Sequence, residues 1–248
     1  MNRAAKIGIA GIGLLAAAAV LFFAYDRGMI RFNHPSLEDY PIQGIDVSHH
    51  QGDIDWQRLA AQPKVRFAII KATEGGDFRD RKFAENWRRA AEAGIVRGAY
   101  HFFTFCRPGR DQAQNVLATV PREPGTLPVA VDIEFHGNCD KVPTVEELAN
   151  EINAFMDELK TVFPEKPIFY VTQPFYEQYF KGREGLYPDH HLWLRSIAEE
   201  PVEEACRPWT IWQFADNGML DGIEGPVDLN VLCRSDTAFS DLFSIAVR

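Results

Sequence analysis

The stretch Val129-Ala130-Val131-Asp132-Ile133-Glu134 is typical of a β-strand whose apolar residues end in two carboxylates. Successive side chains of a strand point to opposite faces, so Asp132 and Glu134, two residues apart, share a face. In a (β/α) barrel, the loops that follow the strands build the active site at one rim. The pair is therefore a candidate for acid catalysis, although a D-x-E pattern by itself also fits a surface loop.

The rest of the chain alternates strand-like runs with helical stretches. Eight strands are predicted at residues 42–47, 67–71, 96–103, 128–133, 168–171, 191–194, 210–214 and 227–231. Helices are predicted at residues 55–62, 81–93, 109–119, 144–162 and 174–181. A helix follows each of the first five strands, and no helix follows the last three. This order predicts an α/β fold, a modified TIM-like barrel of the (β/α)5(β)3 type.

The last two predicted strands are joined by residues 215–226, which contain Asn-Gly and Asp-Gly turn signals and no helical pattern. Such a connection favours an antiparallel hairpin over a parallel crossover. The eighth strand then starts at the catalytic rim and closes the barrel against the first, which makes Asp228 a neighbour of Asp46. Four carboxylates on one rim repel each other and raise the pKa of at least one, as a general acid requires.

Aromatic residues accompany these acids at the strand ends, and their faces suit the apolar faces of sugar rings. The candidates for substrate binding are Tyr100, Tyr170, Trp193 and Trp212. Packing in the core is the alternative for each of them. Gln213 can hydrogen-bond a sugar hydroxyl or an acetamido group.

Composition and charge restrict the function. The chain has 248 residues, 46% of them hydrophobic and 25% charged, which is typical of a globular domain. Its net charge of −9 argues against general nucleic-acid binding. Neither His49-His50 nor the set Asp132, Glu134 and His136 has a recognised metal spacing, and there is no phosphate-binding loop. We therefore expect no metal and no cofactor, and we interpret Lys71 and Glu74 as a structural ion pair.

The first 30 residues are interpreted as a membrane signal-anchor. A short basic segment precedes Ile7–Tyr25, which carries no charge and would span about 28 Å as a helix. Small residues at 17–19 are followed by further apolar residues, which favours an uncleaved anchor over a cleaved signal peptide. Residues 31–41 form a linker to a barrel domain at 42–248. The positive-inside rule places that domain on the periplasmic or extracellular side of the cytoplasmic membrane; a secreted, cleaved form is the alternative.

Four cysteines fit an oxidising compartment. Cys106 and Cys139 follow the adjacent third and fourth strands on one rim, which predicts a disulfide between them. Cys206 precedes the seventh strand and Cys233 follows the eighth, so a hairpin brings both to the opposite end and predicts a second disulfide.

Several blocks in a fixed order resemble glycoside hydrolase family 25, the Chalaropsis-type lysozymes, from about Gly44 to Leu232. The blocks are Gly44 to Gly52 with Ile54-Asp55-Trp56, Ile70 to Gly75, Gly98 to Phe102, Asp132-Ile133-Glu134, Trp212-Gln213-Phe214 and Val227 to Asn230. The resemblance implies an N-acetylmuramidase that cleaves the β-1,4 bond between N-acetylmuramic acid and N-acetylglucosamine in peptidoglycan. It also implies Glu134 as the acid, Asp132 assisting, and Asp46 and Asp228 lining the site.

One departure from the family pattern concerns the sixth strand. The family commonly has W-I-A-x-Y there, whereas this chain has Trp193-Leu194-Arg195-Ser196-Ile197. Arg195 can pair with a carboxylate of the substrate or with an acid of the site.

Alternatives remain open for mechanism and for function. The substrate's own acetamido group can attack the anomeric carbon, or Asp132 can attack it directly or activate water with inversion. A membrane-anchored glycan-binding protein without catalysis is the alternative function, although crowded acids add little to binding alone. A metal-dependent deacetylase is a third. We expect a monomer whose partners are glycan strands and the membrane.

Overall fold

A single sheet closes into a barrel in the computed structural model, which describes residues 3–201 and 209–233. Its strands are β1 Gln43–Val47, β2 Phe67–Glu74, β3 Phe78–Arg79, β4 Val96–Phe102, β5 Ala130–Asp132, β6 Ile168–Thr172, β7 His191–Arg195, β8 Ile211–Gly218 and β9 Val227–Leu232. Their order is β1-β9-β8-β7-β6-β5-β4-β2, and pairing of β1 with β2 closes the ring. The predicted barrel is confirmed; β3, which was not predicted, only extends the edge of β2.

Around the barrel, β1, β2, β4, β5, β6, β7 and β8 all run parallel to one another. Strand β9 is antiparallel to both of its neighbours, β8 and β1. This confirms the predicted hairpin between the last two strands. Because β9 starts at the rim where the parallel strands end, Asp228 pairs in register with Asp46.

Helix α1 precedes the barrel, and the other helices follow its first strands. Their bounds are α1 Arg3–Asp26, α2 Trp56–Ala60, α3 Phe83–Glu92, α4 Gly109–Leu117, α5 Val145–Leu159 and α6 Gln173–Phe175, with a π-helical turn at Tyr176–Phe180 and 3-10 turns at His49–Gln51 and Glu184–Leu186. A capping box is present at the start of α5, where Thr144 and Glu147 each accept a backbone N–H of the other. The predicted helix at 174–181 is instead the short α6 followed by the π turn.

None of the helices in the described part of the chain combines the length and the apolar character needed to cross a membrane.

Two apolar layers follow from strand alternation. One fills the barrel interior and includes Phe67, Ile69, Ala130, Tyr170 and Trp193. The other lies between the barrel wall and the helices, where Leu148, Ile152, Phe155 and Met156 recur at helical spacing along α5. Which layer a strand residue joins therefore depends on its parity, and side chains at the rim end of the interior layer form the site.

Candidate active site

Asp132 and Glu134 lie at the carboxyl end of β5, both partly buried. Asp132 has the parity of the interior residue Ala130, and it stands in register between Phe102 of β4 and Tyr170 of β6. The intervening Ile133 is fully buried in the outer layer. Because Glu134 repeats the parity of Asp132, both carboxyls belong to the interior side of the rim, as the sequence predicts.

Burial sets the electrostatics of this pair. It raises the pKa of Asp132 well above the ordinary value, and the nearby charge of Glu134 adds to the effect while Lys71 opposes it. Among the described residues, the buried Oδ1 of Asp132 has no hydrogen-bond partner. Burial also raises the pKa of Glu134, against the opposing charge of Arg195. Two coupled carboxyls of this kind hold a proton at a pH where ordinary carboxyls are ionised.

Asp46 and Asp228 form a second pair of acids. Asp46 Oδ2 accepts hydrogen bonds from Gln213 Nε2 at 2.9 Å and from Asn230 Nδ2 at 2.8 Å. Burial raises the pKa of Asp46, and these two hydrogen bonds offset part of the rise. Burial, followed by the charge of Asp46 and a hydrogen bond to it, raises the pKa of Asp228 well above its ordinary value. Because Asp46 already accepts two amide N–H groups, we assign the proton of the hydrogen bond between the two acids to Asp228, whose pKa is raised further.

The amides that contact Asp46 are fixed by aromatic donors on neighbouring strands. Tyr170 Oη donates to Gln213 Oε1 at 3.0 Å, and Trp193 Nε1 donates to Asn230 Oδ1 at 2.8 Å. The two aromatic rings meet edge to face, with their centroids 4.7 Å apart. Each amide therefore accepts with its oxygen and donates with its nitrogen, which leaves Asp46 at the end of an ordered network.

Two cations accompany the four acids. Lys71 Nζ pairs with Glu74 at 2.7 Å and lies 5.1 Å from the centroid of the Phe102 ring. This is the ion pair that the sequence predicts. Arg195 follows Trp193 by two residues on β7 and therefore shares its face; its Nη2 pairs with Asp216 Oδ2 at 2.9 Å.

The predicted aromatic residues divide between the two faces of the barrel wall. Tyr170 and Trp193 are in the interior layer with Tyr100 packed against it. Tyr170 and Trp193 are 6% and 2% exposed, so they form the floor of the site. Burial, and then the charges of nearby acids, raise the pKa of Tyr100 and of Tyr170 well above the ordinary value, so both phenols stay neutral donors.

Trp212 is the predicted substrate contact that the structure does not bring to the site. It packs in the outer layer against Tyr40, Trp209 and Phe214, and its Nε1 donates to the backbone oxygen of Ser196. The reason is strand alternation: Gln213 next to it points inward, so Trp212 must point outward. Gln213 itself is 2% exposed and donates to Asp46, a contact that sequence reasoning did not predict.

Asn230 is a residue of the site that sequence reasoning missed. It is fully buried and connects Trp193 with Asp46. Its position two residues after Asp228 places it on the same face of β9, and this spacing was the available signal.

A disulfide joins Cys106 and Cys139, and so ties the segment after β4 to the segment after β5 beside the acids. Cys206 lies outside the described residues, so its pairing with Cys233 stays a prediction. Within residues 3–201 and 209–233, no group of three or more His, Cys, Asp or Glu side chains is arranged to hold a metal ion. The ring of His49 pairs instead with Asp80 at 2.7 Å.

Comparison with known proteins points to one family. The model of Glycosyl hydrolases family 25 matches residues 45–223. The chain is 36% identical over 196 residues to the uncharacterized protein YegX of Escherichia coli strain K12, covering 77% of this chain and 70% of that protein. It is 32% identical over 201 residues to lysozyme M1 of Streptomyces globisporus, covering 76% and 67% respectively.

A solved structure agrees with these sequence matches. A family 25 glycosyl hydrolase from Bacillus anthracis matches with a TM-score of 0.77 and 36% sequence identity, covering 86% of this chain and 98% of that chain.

Proposed function

The chain belongs to glycosyl hydrolases family 25 and is a peptidoglycan-cleaving muramidase, and from this premise we propose that Glu134 is its general acid. Asp132 is then the group that stabilises positive charge at the sugar ring. The observation that carries this assignment is the paired carboxyls at the end of β5, of which Asp132 keeps a buried oxygen that has no hydrogen-bond partner in the described part of the chain.

The bond to be cleaved is the β-1,4 bond from N-acetylmuramic acid to N-acetylglucosamine. Glu134 donates its proton to the glycosidic oxygen while the bond from that oxygen to the anomeric carbon breaks. The carbonyl oxygen of the substrate's 2-acetamido group attacks the anomeric carbon and forms an oxazolinium ion. Water then opens this ion, its proton passes to the Glu134 carboxylate, and the acid is restored.

The unpartnered oxygen of Asp132 supports a role toward the acetamido group. In the free protein, burial and the charge of Glu134 favour a proton on Asp132, whose Oδ1 has no hydrogen-bond partner among the described residues. An acetamido N–H that donates to Oδ1 removes this disadvantage and stabilises the Asp132 carboxylate. The shared proton then resides on Glu134, where the leaving group needs it. Substrate binding thus moves the shared proton onto Glu134, the general acid.

Asp46 and Asp228 act as lining and positioning residues in this proposal. The proton between them lets two buried acids coexist, and Asp46 in turn orients Gln213 and Asn230. Tyr170 and Trp193 hold these amides from the other side and form an apolar floor. We propose that the sugar ring lies over this floor beside Tyr100.

Product analysis tests the function directly. Purified protein should release fragments from peptidoglycan whose new reducing ends are N-acetylmuramic acid, identified by borohydride reduction and mass spectrometry. New reducing ends of N-acetylglucosamine would contradict the bond assignment. Binding to sacculi without release of fragments would favour the alternative, a membrane-anchored glycan-binding protein.

We also propose that residues 1–30 export the barrel domain, residues 42–248, and anchor it as a monomer outside the cytoplasm. The uncharged run Ile7–Tyr25 behind Arg3 and Lys6 supports this proposal, as does the Cys106–Cys139 disulfide, which fits an oxidising compartment. Full-length protein should fractionate with membranes and resist extraction by high salt. A soluble form that begins after the apolar run, with no membrane-bound pool, would show a cleaved signal instead.

A further inference from the structure

Arg195 is a cation of the rim that the proposed mechanism does not use. It ends β7 and lies in register beside Gln213, with 34% of its side chain exposed. A guanidinium has five N–H donors. Among the described residues, its only side-chain hydrogen bond runs from Nη2 to Asp216 Oδ2. Within residues 3–201 and 209–233 its other donors have no hydrogen-bond partner, so they can bind a ligand.

Asp216 binds this guanidinium and is itself held by a second hydrogen bond. Its Oδ1 accepts a hydrogen bond from Tyr25 Oη at 2.9 Å, while its Oδ2 pairs with Arg195. The neighbouring Asn217 Nδ2 donates to the backbone oxygens of Tyr25 and Ile30. The end of α1 is therefore fastened to the end of β8. Both oxygens of Asp216 are engaged, so the guanidinium is oriented in advance of binding.

The charge around the site makes such a cation necessary for an anionic substrate. Four acids surround the proposed sugar position, and the positive charge of Arg195 acts on three of them, Glu134, Asp46 and Asp228. Lys71, the other cation, is engaged in an ion pair with Glu74 at 2.7 Å. A carboxylate carried by the sugar would be repelled by the acids unless a guanidinium bound it.

We propose that Arg195 binds a free carboxylate of the substrate, namely the lactyl carboxylate of a muramic acid that has lost its stem peptide. In intact peptidoglycan this carboxyl is the amide that carries the peptide, and it has no charge. Arg195 shares the interior side of β7 with Trp193 and stands in register with Gln213, so it lies at the rim where the sugar at the cleaved bond is proposed to bind. This inference rests on the proposed function.

One consequence concerns reaction order. If the free lactyl carboxylate is the preferred ligand, an amide hydrolysis that removes stem peptides must supply the preferred substrate. The muramidase then acts after that step.

The test compares three substrates with the full-length protein: glycan strands without peptides, the same strands with their lactyl carboxyls converted to methyl amides, and intact sacculi. Wild-type protein should cleave the free-carboxylate strands with a kcat/KM about tenfold higher than the amidated strands. Arg195→Met should abolish this preference through KM on the charged strands. Arg110→Met, an exposed arginine of α4 that pairs with Glu158, is the matched control and should keep the preference.

Tyr25→Phe tests the support of Asp216. It should reduce the preference by raising KM on the charged strands and leave kcat unchanged. Arg195→Lys keeps the charge without the planar fork and should retain part of the preference.

The outcomes are distinguishable. Equal kcat/KM of the wild-type protein on charged and amidated strands would overturn the inference, and this measurement needs no variant to fold. A loss on intact sacculi alone in Arg195→Met would assign Arg195 to a peptide carboxylate and overturn the lactyl assignment. Failure of the wild-type protein on all three substrates would instead refute the proposed function.

Discussion

Asp46 of β1 lies directly opposite Asp228 of β9, and a hydrogen bond joins the two carboxyl groups. Asp228 carries the proton, because its pKa is raised by burial and by the charge of Asp46, while Asp46 also accepts from two amides. The antiparallel closure of the barrel thus creates a protonated acid pair beside the Asp132–Glu134 pair. The two pairs differ in that, within residues 3–201 and 209–233, only Asp132 keeps a buried oxygen without a hydrogen-bond partner.

Asp46 accepts hydrogen bonds and Asp228 donates one, so amide substitutions at these two positions should have different effects. Asp46→Asn places an amide where Gln213 and Asn230 both donate, and should destabilise the fold by about 1–3 kcal/mol. Asp228→Asn retains a donor toward Asp46 and should lower the free energy of unfolding by clearly less. Urea unfolding at pH 6 measures both, and an equal or reversed order would refute the assignment of the proton to Asp228.

Asp132 should limit the stability of the free protein at neutral pH. Its pKa is raised by burial and by Glu134. Because the unfolded chain ionises first, the stability that the neutral carboxyl provides is present at acid pH and is lost as pH rises through the folded pKa. Asp132→Asn should therefore unfold at higher urea than wild type at pH 8, with a difference that shrinks toward pH 4.

Asp53→Asn is the matched control for this measurement. A hydrogen bond from Lys82 lowers the pKa of Asp53, which is exposed at the surface. Its substitution should give no gain in stability at pH 8. A gain of the same size in both variants would show that net charge, rather than burial of Asp132, is responsible.

The two acids of β5 should respond differently to the leaving group. Glu134→Gln keeps the shape and removes the proton donor, so turnover of natural glycan should fall by about 10²- to 10⁴-fold. An aryl glycoside with an activated leaving group should be affected less, since it needs little protonation. Asp132→Asn should impair both substrates, because it weakens charge stabilisation at the anomeric carbon whatever group leaves.

Covalent trapping separates the mechanisms that remain open. The assisted route predicts no sugar ester on Asp132 and inhibition by a thiazoline analogue of the oxazoline. A covalent sugar on Asp132 in the mass spectrum would establish direct attack. Full activity in both Glu134→Gln and Asp132→Asn would refute the site assignment itself.

Much of this site could be predicted from strand periodicity and turn chemistry. The position of Asp132 and Glu134 follows from alternation along one strand, and the Asp46–Asp228 neighbourhood follows from the hairpin that Asn-Gly and Asp-Gly signals favour. The error at Trp212 was avoidable, because adjacent strand residues cannot share a face with Gln213.

Other features depend on tertiary packing that no local pattern encodes. The burial of Tyr170 and Trp193 in the floor depends on how eight strands meet in the interior. The hydrogen bond from Tyr25 to Asp216 joins residues 191 positions apart, and only the folded chain shows that it supports Arg195.

The charge of Arg195 should also set the pH range of the reaction. Burial raises the pKa of Glu134, and Arg195 gives the largest opposing effect because its positive charge favours the carboxylate. Removal of that charge in Arg195→Met should raise the pKa of Glu134 further. The general acid then stays protonated to higher pH, so the alkaline limb of the kcat/KM profile should move upward, on amidated and on free-carboxylate strands alike. Arg110 is not among the charges that shift the pKa of Glu134, so Arg110→Met should leave the alkaline limb in place. A limb that stays in place in Arg195→Met, or moves to lower pH, would show that Arg195 does not act on the proton of Glu134, and its contribution would then be confined to binding.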